Sequence, residues 1–147
     1  MTGGATKPFA TGRCQCGAVT FSIAGPPVTM GHCHCKDCQR VSGAGHLSNA
    51  RFRSEDVTLK GATATYAVKA DSGNTATRHF CPTCGSRLFS ENSARPGFMN
   101  FHVGTFDDTT WFAPQWVIYT DRRAAWDTTT DAVPNYPGMM PIPPPQK

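Results

Sequence analysis

The 147-residue chain carries fourteen Lys and Arg against ten acids, a formal charge of +4, with 39% apolar and 16% charged residues. Such a length supports one modest core, and such a balance excludes an intrinsically disordered chain. The apolar runs fall far short of the roughly 20 residues that span a bilayer, and nothing beyond Arg122-Arg123 resembles the basic stripe of a nucleic-acid binder.

In chain order, Met1 to Arg13 lack an apolar stretch behind Lys7. The expectation is a cytoplasmic chain with no secretory leader, no membrane association and no nucleic-acid partner. Cys14-Gln15-Cys16-Gly17 follows, and then Val19, Phe21 and Ile23 alternate with Thr20 and Ser22 in the period of a half-buried strand. Gly25-Pro26-Pro27 marks a turn. Cys33-His34-Cys35-Lys36-Asp37-Cys38 leads into Asp37–Val41, which suits a helical turn or two, and Ser42-Gly43-Ala44-Gly45 ends it flexibly. Further strands are expected over Val57–Leu59, Thr65–Val68, Ala76–Phe80, Arg87–Ser90, Phe98–Val103 and Gln115–Tyr119. Between them stand a hairpin loop at Asp71–Asn74 and turns at Arg95-Pro96-Gly97 and Asp107-Asp108. Phe98, Phe101 and Trp111 are expected to fill the core. The reading is all-β, one domain over 1–147 with its core at about 12–132. A Pro-rich tail over 133–147 holds six of the twelve prolines and lies along the surface.

Seven cysteines is a high and odd count. A disulfide framework uses even numbers, and residues one or two apart gain little from closing so short a loop. Several sulfurs at such spacing suit a metal instead. Cys81-Pro82-Thr83-Cys84-Gly85 has the form of a zinc knuckle: Pro82 presets φ, and Gly85 lets the chain close without a Cβ clash. A knuckle is half of a four-coordinate site, and Cys14 with Cys16 is its natural second half. Cys33, Cys35 and Cys38 remain. They can grip one face of a tetrahedron and leave the fourth corner to water or substrate, as catalytic zinc requires. The competing reading fills that corner with a histidine, for which His32, His34, His46 and His79 are all candidates.

The residues Gly12-Arg13-Cys14-Gln15-Cys16-Gly17-Ala18-Val19, His32 through Ala44, Arg78 through Leu88 and Gly104-Thr105-Phe106-Asp107-Asp108 carry a resemblance. The chain resembles the family of glutathione-dependent formaldehyde-activating enzymes, which includes the centromere protein V group. The resemblance implies an all-β, tent-like, zinc-stabilised fold with short antiparallel sheets. It implies a structural zinc on Cys14, Cys16, Cys81 and Cys84 and a second, labile zinc on Cys33, Cys35 and Cys38. The implied activity is that of a carbon–sulfur lyase run in reverse, condensing formaldehyde or another small aldehyde with glutathione, its co-substrate. Members often carry a basic residue directly after the third cysteine of the middle cluster, where this chain has Gln39 before Arg40.

An incoming thiol would dock at the trio, with Cys33, Cys35 and Cys38 as the catalytic set. Arg40, and after it Arg78, would pair with substrate carboxylates, and His34 would donate a hydrogen bond or shuttle a proton. The oligomeric state, a homodimer included, stays open. Two rival readings are a non-catalytic zinc-stabilised binding module and a redox enzyme of the methionine sulfoxide reductase type. The second needs a cysteine free of metal, and the partition leaves none.

Overall fold

Period-2 patterning in short stretches dictates strands rather than helices, and the computed structural model, which describes residues 7–70 and 73–141, is built on that basis. Among the described residues there are ten strands and one α-helix, so the all-β reading holds. The chain divides into two compact units, Met1–Thr29 with Asn49–Phe112, and Met30–Ser48 with Ala113–Lys147.

The first unit holds two antiparallel sheets. Strands β1 (Ala10–Arg13), β2 (Thr20–Ile23) and β5 (Val57–Lys60) form one, in the order β1-β2-β5. The other includes β4 (Leu47–Arg53), of which Asn49 onward lies in this unit, β9 (Phe98–His102), β8 (Arg87–Asn92), β7 (Thr75–Phe80) and β6 (Ala64–Lys69), paired in that order. The β6–β7 hairpin closes with Lys69 opposite Thr75 and with Ala70 N–H donating to Asn74 O. Asp71 and Ser72 of the expected loop lie outside the described residues.

Aromatic rings fill this unit. Phe21, Phe52, Phe89 and Phe101 are buried, and Phe21 packs 4.6 Å from Phe101 and 5.1 Å, edge-on, from Phe106. Trp111 joins them against Phe9, Phe52 and Phe106. Phe98 does not. Three positions before Phe101, it leaves β9 on the opposite face and lies half-buried under the Arg53 guanidinium.

The second unit is smaller. Strand β3 (Thr29–Cys33) pairs in parallel with β10 (Val117–Ile118), Val117 opposite His32 and Ile118 opposite Cys33. This parallel pair is absent from an expectation of antiparallel sheets alone. After β3 comes α1 (Lys36–Ser42), about two turns as read from the sequence and one residue longer at each end than Asp37–Val41. Cys35 caps its start, the sulfur accepting from Cys38 N–H, and Gly43 ends it in the left-handed conformation at φ 70°.

The segment after Val133 is bound down from Pro134 to Gly138. Val117 N–H donates to Pro134 O, and Tyr136 N–H returns a bond to Val117 O. Thr120 N–H reaches Tyr136 O, and Tyr119 N–H reaches Gly138 O. Pro143, Pro144 and Pro145 lie outside the described residues. No helix among the described residues is long and apolar enough to cross a membrane.

Gly31 sits where β3 meets Trp116. A Cβ there would come within 2.3 Å of the indole and 2.4 Å of the Trp116 carbonyl oxygen, so both ring and backbone would have to move. Gly31→Ala is expected to lower stability by about 1–3 kcal/mol, the usual range for overpacking. The measurement is the urea midpoint at unchanged m-value.

Candidate functional site

Two turns of the first unit present four sulfurs. In the first, Gly17 adopts φ 81°, its N–H donating to Cys14 O, while Val19 N–H points at Cys14 Sγ from 3.3 Å. In the second, Gly85 adopts φ 79° with its N–H on Cys81 O, and Thr83 N–H points at Cys81 Sγ from 3.4 Å. The same device occurs twice: a left-handed glycine closes each turn, and a backbone donor steadies its first sulfur.

The ligand atoms of Cys14, Cys16, Cys81 and Cys84 all lie within 4.8 Å of one another. Cys14 Sγ is 3.6 Å from Cys16 Sγ, which is 3.7 Å from Cys81 Sγ. A sulfur tetrahedron around zinc at about 2.3 Å has an edge of about 3.8 Å, whereas a disulfide needs sulfurs about 2.05 Å apart. The donor set and its spacing fit zinc.

Ser86 links the two turns. Its hydroxyl oxygen accepts from Gln15 N–H at 2.9 Å and lies 3.2 Å from Cys84 Sγ, within reach to donate its proton to a Cys84 thiolate. That hydrogen bond, with help from backbone donors, pulls the Cys84 thiol down to about 5. The thiolate is the form a metal binds.

In the second unit, the sulfurs of Cys33, Cys35 and Cys38 form a second group within 4.8 Å. Cys33 and Cys38 are buried and Cys35 is half-buried. The crowding opposes ionisation: the neighbouring Cys35 thiol raises Cys33 to about 12, and Cys33 in turn holds Cys38 well above the ordinary thiol range. Thiols gathered so closely keep their protons unless a cation stabilises the thiolates, and three sulfurs at this spacing fit zinc. Among the described residues, no histidine or carboxylate joins the three within the same 4.8 Å.

The histidines named for the fourth corner go elsewhere. Alternation along β3 puts His32 on the face opposite Cys33, and His34, one residue past the end of the strand, joins it beside His46. There His46 meets them, 4.7 Å from the His32 ring and 5.4 Å from the His34 ring. His34 is fully buried, with Nδ1 3.2 Å from Gly45 O and 3.6 Å from Asp127 Oδ2, and Nε2 3.3 Å from Thr129 Oγ1. His46 Nδ1 lies 2.7 Å from Asp127 Oδ2, and His32 Nδ1 lies 2.9 Å from Ser48 Oγ. Burial lowers His32 to about 4. His34, His46 and Asp127 form a third group whose donor atoms could hold an ion. At 2.7 Å, however, His46 and Asp127 are at the length of a charge-assisted hydrogen bond rather than of two ligands sharing a metal. His79 belongs to the first unit, hydrogen-bonded to Thr63 and stacked 4.2 Å from Phe89.

Arg40 lies exposed in the last turn of α1. Arg78 is half-buried on β7, between Tyr66 and Ser90 of the neighbouring strands. Gln39, where a basic residue is common in the family, ties two segments together. Its side-chain amide donates to His34 O at 2.8 Å and to Arg122 O at 3.0 Å. Asp127 and Ser86 carry no spacing signal, and sequence reasoning missed both.

Residues 9–122 match the family described as glutathione-dependent formaldehyde-activating enzyme. A Halomonas elongata protein, provisionally named as such an enzyme, is 32% identical over 83 residues, which cover 53% of this chain and 53% of that protein. The chain thus matches about half the length of this curated relative. A crystal structure of a Rhodobacter sphaeroides protein superposes with a TM-score of 0.55 at 21% identity, covering 85% of this chain and 98% of the other. That likeness concerns the fold alone.

The Ser86 link yields a prediction. Ser86→Ala removes the proton donated to Cys84 and is expected to weaken zinc at the four-sulfur site by about 10–100-fold, the usual effect of losing an outer-shell partner. Competition with a chromogenic chelator measures it.

Proposed function

Since this chain belongs to the glutathione-dependent formaldehyde-activating enzyme family, we propose that it adds a thiol of the glutathione class to formaldehyde or another small aldehyde, giving an S-hydroxyalkyl thiol. In this reading Cys14, Cys16, Cys81 and Cys84 hold a structural zinc, and Cys33, Cys35 and Cys38 hold a catalytic one. The observation that carries it is the incompleteness of the trio: three sulfurs converge with no fourth cysteine, histidine or carboxylate beside them among the described residues. When bound there, zinc supplies the Lewis acidity that lowers the pKa of an incoming thiol.

The bond changes are simple. The thiol sulfur donates an electron pair to the carbonyl carbon, the C=O π pair moves to oxygen, the sulfur loses its proton, and the oxygen gains one. The reverse breaks the carbon–sulfur bond, which is lyase chemistry. The chain holds the reactants in register, and proximity contributes much of such a rate.

The residues around the trio fit that division of labour. Cys33 is fixed by the β3–β10 pairing, and Cys35 and Cys38 by the first turn of α1. His34 commits its ring nitrogens to Gly45 and Thr129, so its part is to hold the chain between Cys33 and Cys35 rather than to touch substrate. Arg40, exposed at the far end of the same short helix, is the group that would meet a carboxylate of a glutathione-like thiol.

Metal analysis of the purified protein should give two zincs per chain, one removed first by a mild chelator. Cys33→Ser, Cys35→Ser or Cys38→Ser should abolish condensation of glutathione with formaldehyde while leaving the circular dichroism spectrum folded. Cys81→Ser should instead unfold the first unit, because structural zinc contributes on the order of 10 kcal/mol of apparent folding energy. Loss of fold in the trio variants as well would refute the assignment of separate roles.

A further inference from the structure

Tyr119 is the one non-glycine residue with positive φ among the described residues, at φ 56° and ψ 41°. For a bulky aromatic this left-handed conformation is a genuine outlier, because its Cβ crowds the following carbonyl. Such strain persists only where surrounding structure over-determines it.

Here the determinants are visible. Tyr119 N–H donates to Gly138 O at 3.0 Å, and Tyr119 O accepts from Arg122 N–H at 3.0 Å. The next residue is held twice, with Thr120 N–H 3.0 Å and Thr120 Oγ1 3.1 Å from Tyr136 O. Asp121 N–H reaches Pro137 O. On the other side, Ile118 is locked opposite Cys33 in the β3–β10 pair. Residues 136–138 therefore act as a strap that forces the chain to turn at position 119.

The turn sets the aromatic ring against a buried cluster that includes two of the three cysteines. Cys33, Cys38, Leu47 and Ile118 form the buried core of this unit, and Tyr119 packs against it while remaining half-buried. A glycine or an asparagine would take this backbone with less strain, so the strained residue serves to place a ring here. From this we infer that Tyr119 is a specificity-determining residue: its ring walls the space beside Cys33 and Cys38 in which an outside thiol and a small carbonyl compound meet, and it limits the size of both.

The inference rests on the proposed open position of the trio, and its test separates the two. Cobalt replaces zinc in the full-length protein, and sulfur-to-cobalt charge-transfer absorption reports docking of an added thiol. Glutathione and 2-mercaptoethanol serve as large and small probes. Tyr119→Phe should leave both affinities within about two-fold of the unmodified protein, since it keeps the ring. Tyr119→Gly and Tyr119→Asn, each at ease in the left-handed conformation, should leave the urea midpoint near its original value, since relief of backbone strain offsets the lost ring contacts. They should also change the ratio of the two affinities by about ten-fold or more, the scale on which a pocket wall discriminates.

A ratio unchanged in both variants would overturn the inference while leaving the open position intact. No thiol-dependent absorption in the unmodified protein would overturn the open position, and the wall with it. The midpoint guards against a trivial result, since a residue serving only the fold would move stability without moving the ratio of affinities.

Discussion

Everything in the first unit's candidate centre follows from one spacing. Sulfurs 3.6 Å apart within one turn, and 3.7 Å apart across turns 65 residues distant in sequence, are too far apart to be bonded and too close to be charged without a counter-ion. The fold enforces that spacing at every level: two left-handed glycines, two backbone N–H groups aimed at sulfur, and a serine whose hydroxyl bridges the turns. A divalent ion held there would remove the repulsion and convert the convergence into a cross-link between the β1–β2 connection and the β7–β8 connection. The closed loop is long, so its closure constrains the unfolded chain strongly. A unit whose core rests on a handful of phenylalanines has reason to need such a clip.

The second unit shows the same sulfur chemistry under a different constraint. Its three cysteines come from one short stretch, Cys33 to Cys38, and approach as the end of a strand and the first turn of a helix. Little chain is enclosed, so an ion there contributes little to closing the fold. Stability comes instead from the β3–β10 pair, the Gln39 amide that ties α1 to Arg122, and the bonds from Pro134 to Gly138. Loss of the ion would leave these intact. An ion that the fold does not depend on is one that can exchange its ligands.

Much of this was legible in the sequence. The cysteine spacing alone grouped the sulfurs as the structure does, and strands β2 and β5 to β10 were readable from alternation or apolar runs. Strands β1, β3 and β4 were missed for physical reasons. In β1, Ala-Thr-Gly-Arg has a single small apolar residue, and in β3 a glycine interrupts the pattern so that Trp116 can lie on it. In β4 the phase changes within the strand. Leu47 faces the core of the second unit, whereas Ala50 and Phe52, three and five positions on, face that of the first. A period-2 reading fails wherever one strand serves two cores. Asp127, Ser86 and Tyr119 were invisible for another reason: each matters through a backbone angle or a partner far off in sequence, and composition records neither.

The histidines show how a local rule decides among long-range options. Four of the five imidazoles stood as candidates to complete the trio, and His34 is even flanked by two of its sulfurs. A strand sends neighbouring side chains to opposite faces, so the position between two converging cysteines is the one least able to join them. His34 turns instead to Gly45, Thr129 and Asp127, where it is fully buried and hydrogen-bonded at both ring nitrogens. Those partners, met one residue past the end of β3, hold the nearest competing ligand away from the sulfurs. The burial of His34 among its own partners keeps it from the fourth place at the trio, before any substrate arrives.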